Sequence, residues 1–130
     1  MHVRTATADE VPAVMNVLDG AVLSIAVETV RAGAEDDGTL VAVSDDDPAA
    51  ERVLGALVLD DTHIEAVAVR RRRRGQGIGT ALVEAALDRR NCVTAEFDAD
   101  VRPFYEALGF DVTPLADEAD RFRGTCRRRR

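Results

Sequence analysis

"AVRRRRRGQGIGTAL" runs from Ala68 to Leu82 and sets five consecutive arginines directly before Gly75-Gln76-Gly77-Ile78-Gly79. On its N-terminal side lies "THIEAVAV" (Thr62 to Val69), whose continuous apolar end predicts a strand buried on both faces. On its C-terminal side the period turns helical from Ile78 to Arg90. Ile78, Leu82, Ala85 and Ala86 share one face there, with Val83 and Leu87 beside them. "CVTAEF" (Cys92 to Phe97) is a further strand. Strand, turn, helix and strand predict a right-handed crossover between two parallel strands. Glycines in such a turn take positive φ and let another group approach the backbone closely. Free N–H groups at the helix start, aided by the helix dipole, suit an anion such as a diphosphate. The turn lacks the Gly-Lys-Ser/Thr end of a Walker loop. It also departs from G-x-G-x-x-G, because Leu82 stands three residues after Gly79.

Working outward, "MHVRTAT" alternates as a strand does. Thr7 or Asp9 can cap a helix beginning near Val11-Pro12, with Val14, Val17 and Leu18 as its apolar stripe. A second helix is predicted over Val22 to Ala32, ended by Gly33, before the turn "EDDGT". "LVAVS" (Leu40 to Ser44) and "RVLGALVLDD" (Arg52 to Asp61) predict an antiparallel pair across the loop "DDDPAAE". "DVRPFYEAL" is a short helix with Val101, Phe104, Tyr105 and Leu108 on one stripe and Gly109 just past its end. "FDVTPL" and "DRFRGTC" predict a final hairpin. The order β-α-α-β-β-β-α-β-α-β-β places the chain in the mixed α/β (α+β) class. A single domain is expected over residues 1–125, with 126–130 as an arginine-rich tail.

A chain of 130 residues suffices for one domain with a real core. Its net charge is -7, and all 17 basic residues are arginine. Outside Arg70 to Arg74 and Arg127 to Arg130, 8 arginines face 24 acids. This is an acidic body with two basic spots. Absent lysine and abundant aspartate resemble proteins of a salt-adapted halophile; a GC-rich coding preference gives the same lack of lysine. A nucleic-acid partner is not expected. Aromatics make up 4 % and lie between Phe97 and Phe122 on apolar faces, so no stacking platform accompanies the arginines. Cys92 and Cys126 form neither a disulfide framework nor a metal-site spacing, and no metal is expected. With no signal-like segment and no 18-residue apolar run, the expectation is a cytoplasmic protein with no membrane association.

Arg74-Gly75-Gln76-Gly77-Ile78-Gly79 matches R/Q-x-x-G-x-G/A. With "AVAV" before it, "PFYEALGF" (Pro103 to Phe110) after it and "VRTATADEVPAV" at the start, the chain resembles the GNAT superfamily of acetyltransferases over essentially its whole length. The resemblance implies a mixed sheet of about six or seven strands with a splayed parallel pair and flanking helices. It implies acetyl-CoA as acyl donor and direct attack by a primary amine in a ternary complex. The backbone of Val67, Ala68 and Val69 would hold the pantetheine arm, and an N–H near Val67 would serve the thioester carbonyl. Arg74, Gly75, Gln76, Gly77, Ile78, Gly79 and Thr80 would hold the pyrophosphate, with Gly77 and Gly79 providing room. One or two of Arg70 to Arg73 would touch the 3′-phosphate, and the rest would meet solvent.

Tyr105, the only tyrosine, would protonate the leaving thiolate. Glu65 and His63 lie two apart on one strand, hence on one face, and are candidates for the base, as is Glu96. Asp98 stands seven residues before Tyr105, where many members place a cofactor-contacting Asn; Asp accepts but does not donate those bonds. The acceptor would be a small-molecule or peptide amine, held by segments within Leu18 to Asp37 and Asp111 to Cys126. The chain would act as a monomer or homodimer. The alternative is an acyl-CoA-binding module of this fold with little or no transferase activity.

The acid excess makes a direct prediction. Screening relieves self-repulsion, so the melting temperature rises from 0.1 M to 2 M KCl. A flat or falling curve in thermal denaturation favours the coding-preference reading.

Overall fold

The computed structural model describes residues 1–20, 27–44, 52–115 and 120–128. The start expected for the second helix (Val22 to Ala26), the 45–51 loop and the last two arginines of the tail lie outside the described residues.

Seven strands form one sheet: β1 (His2–Thr5), β2 (Thr39–Val43), β3 (Val53–Asp60), β4 (His63–Val69), β5 (Cys92–Asp98), β6 (Asp111–Pro114) and β7 (Arg121–Arg127). Their spatial order is β1-β2-β3-β4-β5-β7-β6, so β7 inserts between β5 and its own hairpin partner. Every pairing is antiparallel except β4 with β5. This is the mixed sheet with one parallel pair that the element order predicted. Helices α1 (Val11–Gly20) and α2 (Val27–Asp36) cover one face; α3 (Ile78–Arg90) and α4 (Arg102–Ala107) cover the other.

The helices α1 and α3 bury the stripes their spacing provides. Val14, Val17 and Leu18 of α1 pack with Val30 of α2 against Val41, Val43, Ala56 and Val58. Ile78, Leu82, Val83 and Ala86 of α3 pack against Leu40, Leu57, Val93 and Ala95. The entry to α1 is a 3-10 turn (Ala8–Glu10), where the Glu10 carboxylate accepts from the Thr7 N–H at 2.9 Å. Arg4 on β1 grips the same carboxylate at 2.6 and 2.9 Å and holds it below the usual carboxylate range.

Three expectations change. The second helix does not end at Gly33 but runs to Asp36, and Asp37 takes the left-handed cap with φ 67. Gly33 serves packing instead: a Cβ there would lie 2.0 Å from the Oγ1 of buried Thr39, which donates to the Val30 carbonyl at 3.0 Å. Cys126, expected in the tail, sits in β7 and is 7 % exposed, so the sheet continues to Arg127. The end of β4 is not buried on both faces. Ala66 and Ala68 are buried, whereas Val67 and Val69 are half-buried.

Overpacking a tight site costs about 1–3 kcal/mol, and the Thr39 bond is lost as well. Gly33→Ala should therefore lower stability by at least about 2 kcal/mol in urea titration. Adding Thr39→Ala should recover part of the loss, because it removes the atom that clashes. Additive losses would show that the contact does not limit packing.

Candidate functional site

The only bridges between β4 and β5 are His63 with Thr94 and Ile64 with Ala95. Beyond them β4 continues to Val69 and β5 to Asp98 without pairing to each other. The cause lies on the other side of β4. Its register with β3 passes from Val58–Ala66 to Leu59–Ile64, which leaves Glu65 as the extra residue of a bulge. A bulge bends its strand and interrupts the ladder. Here it falls where the two parallel strands part.

The bulge also breaks the alternation of faces. Ile64 packs with the α3 core, while Ala66 and Ala68 pack with the α1–α2 core. His63 and Glu65 therefore do not share a face through simple alternation, contrary to the sequence reading. His63 Nδ1 lies 2.9 Å from Thr94 Oγ1 and does not line the gap; Glu65 does.

Past the bulge, the Arg70 N–H donates to the Leu54 carbonyl on β3 at 2.8 Å. Backbone groups alternate sides along a strand. Those of Val67 and Val69 therefore face away from β3, toward the gap that β5 does not fill. The gap is a cleft of about 270 Å³. One wall is Ile64 to Val67; the other is Glu96 to Asp98 with Val101, Phe104 and Tyr105.

At the carboxyl end of β4 the chain makes a 3-10 turn (Arg71–Arg73) and then the glycine turn into α3. Gly75 and Gly77 have φ of 79° and 82°. A Cβ at either would meet nothing within 4 Å, so positive φ, not crowding within the protein, requires glycine there. Gly79 differs, since a Cβ there would touch the Phe104 ring at 3.4 Å. The first bond of α3 runs from the Ala81 N–H to the Gly77 carbonyl at 3.0 Å. The N–H groups of Ile78, Gly79 and Thr80 are thus left over at the positive end of a 13-residue helix.

Arginines frame this turn without all meeting solvent. Arg70 Nε donates to the Val53 carbonyl at 2.6 Å, and Arg74 Nε to the Val69 carbonyl at 3.3 Å. Arg70, Arg71 and Arg74 also edge a depression of about 300 Å³ beside Asn16 of α1.

Tyr105 is 5 % exposed. Its ring stacks on Phe97 at 4.2 Å and meets Phe104 and Phe110 edge-on, each at 5.1 Å. Burial pushes its phenol up to about 12. The residue lines the cleft, and its hydroxyl has no hydrogen-bond partner among the described residues. Glu65 and Glu96 are exposed at the cleft. Asp98 also lines it but accepts from Arg121 at 2.9 Å, so its carboxylate is already engaged.

The sequence reading missed three lining residues. Val101, placed on the buried stripe, is 43 % exposed. It precedes α4 at the lip of the cleft, where the chain turns through a 3-10 segment (Ala99–Val101). Phe104 bridges the cleft to the first turn of α3, a contact that the glycine at position 79 permits. Arg121 reaches the cleft through a cross-strand pairing 23 residues distant in sequence. Among the described residues no group of three or more His, Cys, Asp or Glu could hold a metal ion. No helix among them is long and apolar enough to cross a membrane.

The fold has many solved relatives. A Bacillus cereus GNAT acetyltransferase superposes with a TM-score of 0.78 at 14 % identity, covering 99 % of this chain and 98 % of that one. Rv2747 of Mycobacterium tuberculosis, crystallised with CoA, gives 0.71 at 24 % identity over 92 % of this chain and 77 % of that one. The Escherichia coli ribosomal-protein-S18-alanine N-acetyltransferase gives 0.70 at 15 % identity, covering 96 % and 92 %. At these identities the likeness is one of fold. No curated protein sequence matches. The model of the acetyltransferase (GNAT) domain matches residues 34–112, more than half of the chain, from the last turn of α2 to the start of β6, and the protein belongs to that family.

Proposed function

We propose that this protein is an N-acetyltransferase that moves the acetyl group of acetyl-CoA to a primary amine by direct attack in a ternary complex. The observation that carries the reading is the unfilled gap between β4 and β5. It opens beside a helix N-terminus with three free N–H groups and is lined by the largely buried side chain of Tyr105.

In this reading the pyrophosphate lies on the N–H groups of Ile78, Gly79 and Thr80, with Gly75, Gln76 and Arg74 around it. The pantetheine arm runs along β4 as an added strand would and bonds to the inward-facing groups of Val67 and Val69. Ala68 is on the same stretch, but its backbone faces β3. Val101 and Phe104 cover the arm. Engaged with Arg121, Asp98 is a structural element of the cleft wall more than a cofactor contact.

Chemistry needs a positioned amine, a donor for the carbonyl oxygen and a donor for the sulfur. The Val67 N–H is the proposed donor to the oxygen. As the neutral amine attacks, the C–N bond forms and the C–S bond breaks; one N–H proton ends on sulfur. In this reading Tyr105 is the donor to that sulfur. A phenol near 12 is a weaker acid than a free thiol near 8.5, a gap of about 5 kcal/mol. The hydrogen bond to developing thiolate is therefore the first contribution of Tyr105, and proton transfer completes late.

Tyr105→Phe should keep acetyl-CoA affinity and lower kcat at least about tenfold with an accepted amine. Gly77→Val forces a branched side chain to positive φ at about 1–2 kcal/mol and turns the anion site aside. It should weaken acetyl-CoA binding in calorimetry while the chain stays folded. Unchanged affinity in Gly77→Val sinks the turn assignment. If free CoA accumulates from acetyl-CoA at one slow rate across every amine offered, the binding-module alternative holds instead.

The single tyrosine and absent tryptophan allow a direct optical check. Absorbance at 295 nm should report phenol ionisation well above pH 10 in the folded chain and near 10 in denaturant. Because folding raises this pKa, the stabilisation it represents is fully present below pH 10. It is lost as pH climbs from about 10 toward about 12, up to about 3 kcal/mol. Tyr105→Phe should remove that component. A folded-state midpoint at 10 would show an open, solvated phenol.

A further inference from the structure

Gly124 lies in the middle of β7, opposite Ala95 of β5 and Val112 of β6, with no shift of register in either pairing. A glycine inside a strand weakens it and often marks a close approach. Gly124 is not among the glycines with positive φ, so conformation does not require it. Room does. A Cβ there would lie 3.0 Å from Cδ2 of Phe110 and 3.1 Å from Cε1 of Phe97, and both rings would have to give by a few tenths of an ångström. These two rings are themselves buried, at 5 % and 4 % exposed. They are also the rings that hold Tyr105. Phe97 stacks on its face with centroids 4.2 Å apart, and Phe110 meets it edge-on at 5.1 Å. Phe97 and Tyr105 line the cleft; Gly124 does not.

We propose that Gly124 is a positioning residue for Tyr105: by carrying no side chain it lets Phe97 and Phe110 seat against β7, and the two rings fix where the Tyr105 ring stands in the cleft wall. The inference rests on the transferase reading above, in which the Tyr105 hydroxyl donates to the leaving sulfur, and deepens it. A hydrogen bond weakens steeply away from its best distance and angle. A misplacement of about 1 Å in a catalytic group costs up to about a hundredfold. A Cβ at position 124 displaces the rings by less than that, so its cost is smaller and falls on kcat. In the same reading the donor is held by the glycine turn and the backbone of β4, which lie on other elements, so donor affinity is spared.

The test compares Gly124→Ala with the wild type, each as the full chain. The first readout needs no acceptor. Tyr105 is the only tyrosine, so absorbance at 295 nm follows it alone. A displaced, better-solvated ring ionises at lower pH, and the folded-state midpoint should fall by at least about 0.5. Turnover is read as free CoA released from acetyl-CoA with L-alaninamide, at a temperature where circular dichroism shows both chains folded. Here kcat should fall about fivefold, with acetyl-CoA affinity unchanged in calorimetry. In the Tyr105→Phe background Gly124→Ala should cost nothing further, because the hydroxyl it misplaces is already gone. If Gly124→Ala does not fold, the same readouts are taken on Gly124→Ala/Phe110→Leu against Phe110→Leu, in which the nearer ring is trimmed. An unmoved phenol midpoint, or a loss of kcat that persists at full size in the Tyr105→Phe background, overturns the inference and leaves the transferase reading intact. Wild-type kcat in Tyr105→Phe itself overturns the donor role instead. Failure of the wild-type chain to bind acetyl-CoA overturns the transferase reading, and is seen independently in the calorimetric control.

Discussion

Two neighbouring strands in the middle of this sheet stop bonding to each other after two pairs of residues, His63 with Thr94 and Ile64 with Ala95. A buried backbone group left without a partner costs about 1–3 kcal/mol, so a sheet does not open in this way unless something prevents it from closing. Here each strand is tied to a different neighbour. β5 pairs with β7 along its full length, Cys92 to Asp98, and β4 pairs with β3 from His63 to Val69. The Glu65 bulge turns β4 away at the parting point. Phe97, Tyr105 and Phe104 stack on one another and line the opening from the β5 side.

The rest of the site follows from chain direction. In a parallel pair both carboxyl ends lie at one edge, where open α/β sheets bind their ligands. The crossover from β4 to β5 must begin at that edge, so α3 presents its N-terminus there. The segment after β5 must also begin there, so α4 carries Tyr105 to the same mouth. A helix N-terminus, two stretches of strand that do not pair with each other and the Tyr105 side chain thus meet without any long-range charge pattern. β7 is essential to this arrangement. By lying between β5 and β6 it occupies the outer edge of β5 and keeps that strand from shifting back toward β4.

Much of this was legible in the sequence, for definable reasons. The switch from alternating to helical spacing around Gly75 to Gly79 marks the crossover. Gly109 has the φ of 91° expected past a short helix, and the one tyrosine falls where the motif predicts. What was not legible depends on partners distant in the chain. Gly33 read as a helix stop because its need for space comes from Thr39, on a strand not yet formed. His63 and Glu65 read as one face because a bulge is a property of two strands, and the register with β3 is absent from a single stretch. Asp98 read as a departure from a cofactor contact; its ion pair with Arg121 gives it a different partner. Gly77 read as a glycine kept for room; its φ of 82° shows that conformation requires it.

The five arginines look different once their bonds are traced. An exposed guanidinium attracts an anion over about one Debye length, about 8 Å at 0.15 M salt and about 3 Å at 1 M. Arg70 and Arg74 direct their Nε groups to the carbonyls of Val53 and Val69, on strands that frame the glycine turn. Those bonds act at contact and are insensitive to screening at a distance. They pin the ends of the turn so that Gly75 and Gly77 can hold their left-handed conformations and aim the α3 N–H groups outward. Arg70 and Arg74 are therefore scaffold before they are field.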